Sequence, residues 1–134
     1  MKTKNYLKIA LAVISGELLM VLLITLAQEI VVPGVKLGIS STSDIIIGGF
    51  GTLLSGTIAG FTATLIGGKT TTLPSILLSI LVVLETSYLI FANKILNPVW
   101  FDVTAALSLI GAIWVGYYLC ANGFFFKKDN ISRI

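Results

Sequence analysis

Two carboxylic acids sit where their neighbours offer no water. Glu17 interrupts the apolar stretch from Ile14 to Ile24, and Glu85 interrupts that from Ile80 to Ile90. Measured from the same side, the first is roughly 17 Å and the second roughly 18 Å along its helix. An ionised group at such a depth in lipid is costly even on the lower insertion scales. No Lys or Arg stands at comparable depth, so at least one of the two is expected to stay protonated near neutral pH. Carboxyls so placed can bind a proton and a substrate alternately, as in proton-coupled carriers. They can also donate one hydrogen bond and simply tie helices together. Hydroxyls at matching depth supply the candidate partners: Ser55, Thr57, Thr104 and Ser108, with Thr86 and Ser87 beside Glu85. Ser75, Ser79, Thr86 and Asn93 share one helical face by their spacing of four and seven. The candidate proton or ion site is therefore Glu17, Glu85, Ser55, Thr57, Thr86 and Ser108.

Other chemistries lack their residues. The chain has no His and one Cys, Cys120, which removes the usual ligands of zinc, haem and iron–sulfur centres and any internal disulfide. No nucleophile–base set or phosphate-binding Gly loop occurs, so no enzyme activity, metal or cofactor is expected. The net charge of +3 comes without a basic, aromatic-interleaved stripe, which argues against a nucleic-acid partner.

The elements that must hold the acids are four apolar runs in a chain of 134 residues: Tyr6 to Ile30, Ile45 to Ile66, Leu73 to Ala92, and Pro98 to Leu119. Each reaches about 20 residues, enough to cross a hydrocarbon core. Charged residues make up only 11% of the chain, against roughly a quarter in soluble domains. Breakers fall between the runs: Pro33-Gly34, Ser40 to Ser43, Gly67-Gly68, Thr70 to Pro74, and Asn97-Pro98. The last pair reads as an N-cap followed by Pro at the first helical position. The small-residue triplet Thr25-Leu26-Ala27 resembles a signal-peptide cleavage site, but the run is long for that role and Glu17 interrupts it. The expected fold is all-α, a single polytopic membrane four-helix bundle. Lys2, Lys4, Lys8, Lys69, Lys127, Lys128 and Arg133 flank one side, and Lys36 and Lys94 the other. By the positive-inside rule both termini are expected in the cytoplasm, and the composition suggests the plasma (inner) membrane of a bacterium.

Small residues mark the expected contacts. Every fourth position of the second run reads Gly48, Thr52, Gly56, Gly60, Thr64 and Gly68, and the adjoining ridge Gly51, Ser55, Ala59, Ala63 and Gly67. The fourth run carries Thr104, Ser108, Ala112, Gly116 and Cys120. Lipid offers no hydrophobic drive to pair helices, so close backbone approach over such faces must supply the contact. Whether it forms within one subunit or between two is left open by the pattern. The expected partners are the lipid bilayer and a second copy or another membrane protein.

Glu29 and Asp44 read as solvated loop acids, and Asp102 as a first-turn carboxylate favoured by the helix dipole. Trp100 and Phe101 suit one interface. Tyr6, Tyr117, Tyr118 and Phe124 to Phe126 suit the other. Trp114 faces lipid or a neighbouring helix. The Lys127-Lys128-Asp129 tail is short for a lipid-binding cluster. Each half of the chain has an acid-bearing helix, a Pro-containing connection (Pro33, Pro98) and a small-residue helix returning, as in parallel repeats.

The stretch Gly48-Gly49-Phe50 through Gly60, with Pro98-Val99-Trp100-Phe101, resembles a loose group of small bacterial four-span membrane proteins of uncharacterised function. That resemblance implies the same bundle and no activity. Glu17 midway along the first run is similar to the acid of small multidrug transporters. The second run and the long connection depart from that family's pattern. Two functions follow: a helix-packing or accessory module, or a minimal proton- or cation-coupled transporter using the paired carboxylates.

Overall fold

A computed structural model describes residues 2–32, 34–95 and 97–124. Expectations for Pro33, Phe125, Phe126, Lys127, Lys128, Asp129 and Arg133 lie outside the described residues. Those described form an all-helical bundle: α1 (Lys2–Thr25), a π-helical turn (Leu26–Val31), α2 (Thr42–Gly67), α3 (Leu73–Phe91) and α4 (Val99–Ala121). All four α-helices are long and apolar enough to cross a membrane.

Local chemistry sets the boundaries. Ser41 caps α2 by accepting from the Asp44 N–H at 3.2 Å, which satisfies one of the orphan donors of a first turn. Gly68 ends α2 at φ 109°, a backbone conformation that L side chains rarely adopt. Pro74 lies in the first turn of α3, where its missing N–H is harmless. The cap of α4 differs from expectation. Pro98 itself is the N-cap residue, and the Asn97 side chain accepts instead from the Leu37 N–H at 2.8 Å. Asn97 thus ties the α3–α4 connection to the α1–α2 connection.

The bundle is apolar both inside and out. Its core is Met20, Ala59, Ala63, Leu78, Val82 and Ile113, while Leu7, Leu11, Leu18, Leu22, Ile46, Phe50, Leu84 and Leu107 stand on the surface. Small side chains face inward because the backbones must approach. Large ones cover an outside that water would leave prone to aggregation and lipid would solvate. Such a surface is compatible with a multi-pass membrane protein.

In cross-section the helices follow the order α1, α2, α4, α3 around the bundle. The α2–α4 and α1–α2 contacts are the most extensive, and α3 touches both α4 and α1. Across the diagonals α2 meets α3, whereas α1 and α4 make no contact. A repeat of two equivalent halves would make these diagonals alike, so the halves pack unequally.

Candidate carboxyl site

Two parallel helices bring the acids together. Glu17 is the central residue of the apolar segment Thr3–Val31, on the side of α1 that meets α3. Its chain neighbour Gly16 lies against Leu78 of α3 and against Ala59 and Ala63 of α2, where an added Cβ would come to 3.0–3.3 Å of their atoms. Glu17, next along the helix, is half-buried beside this contact. Both of its carboxyl oxygens are shielded from solvent, and neither receives a hydrogen bond from a donor. The group it meets is the Glu85 carboxyl, within hydrogen-bonding reach and close enough to act on it electrostatically. Glu85 is the more exposed of the two. Two carboxylates offer only acceptors, so a proton held between them is what would complete the contact.

The hydroxyls grouped with this pair are committed elsewhere. Ser55 donates to the Gly51 carbonyl at 2.7 Å, Thr57 to Leu53 at 2.9 Å, and Ser108 to Thr104 at 2.9 Å. Each bond returns to the donor's own helix, the arrangement that lets a polar side chain sit in an apolar setting. Thr86 and Ser87 border a cleft between α3 and α4, with Val103 and Leu107. Ser75, on the same α3 face, has a buried hydroxyl without a hydrogen-bond partner.

The small residues occupy a different seam. A Cβ on Gly60 would run into the Ile113 carbonyl, and one on Gly116 into the Thr57 carbonyl. Gly56 lies against Leu109 and Ala112. Backbone therefore touches backbone between α2 and α4, inside one chain. The adjoining ridge turns to α1, the π turn after it and α3: Gly51 meets Ala27 of the π turn, and Gly67 meets Pro74 and Ala12. Gly48 meets Val35 of the connecting loop. Buried Thr64 donates back to Gly60 at 2.7 Å. Thr52 is half-buried. Thr104 and Ser108, expected on the packing face of α4, are exposed. A stripe at every fourth position precesses by roughly 40° per step on a helix of 3.6 residues per turn. Toward this end the inward line passes through Leu109 and Ala106 instead.

A second polar cluster, which the sequence reading missed, lies at the end of the bundle carrying the α1–α2 and α3–α4 connections. The π turn rotates Gln28 toward α2, where its Nε2 donates to Thr52 Oγ1 at 3.1 Å. Thr52 in turn donates to the Gly48 carbonyl at 2.9 Å. Together with Val35, Ile45, Gly48, Gly49, Asn97, Phe101 and Asp102, these residues line a cavity of about 270 Å³. The signal available in the sequence was Gln28 beside Glu29, two polar residues closing an apolar run. Glu29 itself is exposed.

No family model, curated protein or solved structure matches the chain.

Proposed function

We propose that this is a multi-pass membrane protein with both termini cytoplasmic, and that the Glu17–Glu85 pair is the proton- or cation-binding centre of a minimal coupled carrier. The observation that carries the reading is the state of Glu17: both oxygens shielded, neither met by a donor, and a second carboxyl alongside. A purely structural acid in lipid would be expected to find a hydroxyl or carbonyl partner. This one has only another acid. The pair holds one proton between its carboxyls, and an entering cation takes that proton's place as it leaves. The Lys-rich flanks at the N-terminus and at Lys69 support the cytoplasmic assignment of that end.

A specific feature favours a second reading, that of an accessory module. Ile76, Ile80, Val83, Leu84, Ile110 and Trp114 border an open apolar groove between α3 and α4, of a kind that a helix of another membrane protein would fill. The small-residue faces are occupied within the chain, so a partner or second copy would meet the bundle elsewhere. Neither reading involves enzymatic chemistry, a metal or a cofactor.

Infrared titration of the carboxyl band in lipid separates the two. The carrier reading expects a coupled, two-step protonation between about pH 5 and pH 9 in the wild type, reduced to a single step in Glu17→Gln and in Glu85→Gln. Carboxyls that stay protonated throughout that range in all three proteins would sink it and leave the accessory reading.

A further inference from the structure

The cavity beside the π turn combines features that together select a ligand. Among its lining residues Asp102 is the one charged group, with no Lys or Arg opposite it. One Asp102 oxygen, Oδ2, is shielded and receives no hydrogen bond, so the fold supplies no donor to this oxygen. The hydroxyl of Thr52 is committed to the Gly48 carbonyl, so toward Gln28 it can only accept. That fixes the Gln28 amide with nitrogen toward Thr52 and turns its oxygen the other way, as a further acceptor. Asn97 is held in the wall by the Leu37 N–H. The rest of the lining is apolar and aromatic: Val35, Ile45 and Phe101. Gly49 has nothing within 4 Å of where a Cβ would stand, which keeps part of the wall open.

We infer that this cavity, lined by Asp102, Gln28, Phe101 and Gly49, binds a small organic cation of the primary alkylammonium class. An ammonium head donates to the Asp102 carboxylate and to the Gln28 amide oxygen, and the Phe101 ring attracts the same charge. The alkyl part lies on Val35 and Ile45. A bare metal ion fits this wall poorly, because hard cations take six or more oxygen ligands and only four of the lining residues carry a side-chain oxygen. At about 270 Å³ the cavity falls just below the range for drug-sized ligands, roughly 300 Å³ and upward, which suits an amine of a few carbons. The site lies apart from the Glu17–Glu85 pair and stands whether or not that pair transports.

The test is calorimetric titration of the full-length protein in lipid nanodiscs with n-butylammonium chloride. Saturable one-to-one binding is expected. Asp102→Asn should weaken it at least about tenfold, the loss expected of a charge-assisted bond. Gly49→Leu adds bulk at the open part of the wall without meeting a neighbour, and should weaken binding by narrowing the cavity. Absence of saturable heat would overturn the inference, as would unchanged affinity in both Asp102→Asn and Gly49→Leu. Equal binding of potassium chloride, with the same dependence on Asp102, would overturn the organic assignment.

Discussion

The α2–α4 seam and the α1–α3 carboxyl contact solve opposite problems in one bundle. Along the seam nothing is left unanswered: Thr57 and Thr64 return their hydroxyl protons to their own helix, and Gly60 and Gly116 set backbone on backbone. Where α1 meets α3, a carboxyl is enclosed without a donor. The first contact is made by removing side chains, so adding any atom to it is disruptive. The second is made around a group whose needs the fold does not meet, so altering that group disturbs little of the packing. Stability and chemistry are therefore expected to respond to different residues.

The largest effect should come from Gly60→Leu. Its first added carbon meets the Ile113 carbonyl, which belongs to backbone and cannot swing aside. Overpacking of this kind costs about 3 kcal/mol or more. Denaturant-driven unfolding in detergent micelles should show that loss without a change in oligomeric state. Loss of an oligomer with an unaltered unfolding midpoint would show instead that the seam joins separate chains.

Glu17→Gln should fall well below that. The amide keeps the volume of the acid and supplies a fixed N–H donor in place of the shared proton, and polar contacts between membrane helices average about 0.6 kcal/mol. The same unfolding measurement should therefore move by less than about 1 kcal/mol. A loss as large as that of Gly60→Leu would erase the contrast between the two regions and make Glu17 part of the packing.

How much of this was legible follows from what each feature depends on. The four helices depend on local composition, so apolar runs bounded by Gly68, Pro74 and Pro98 placed them within a few residues. The meeting of Glu17 and Glu85 depends on depth and direction, which chain order supplies once the runs are counted. The Gly60–Gly116 approach was foreshadowed by the small-residue ridges, but whether it joins helices of one chain depends on tertiary arrangement. Asn97 was read by its local capping habit, whereas its side chain answers Leu37, 60 positions away in sequence. The π turn was beyond the apolar periodicity altogether: a single widened turn re-aims Gln28 while leaving composition unchanged.

The stripe on α4 marks where a rule of spacing yields to geometry, and it gives the smallest expected effect. Ser108 shares the four-residue spacing of Ala112 and Gly116, and by pattern alone a bulky residue at any of the three should wedge the helices apart. Precession takes it off the seam: Ser108 is exposed, and its hydroxyl bonds the Thr104 carbonyl of its own helix. Ser108→Leu removes that internal bond, which relaxes rather than breaks a helix, and adds one more large side chain to a surface already covered with them. The unfolding midpoint should shift by no more than about 0.5 kcal/mol. A loss approaching that of Gly60→Leu would mean that Ser108 faces α2 after all, and that the close seam runs the full length of the two helices rather than about Gly56, Gly60 and Gly116.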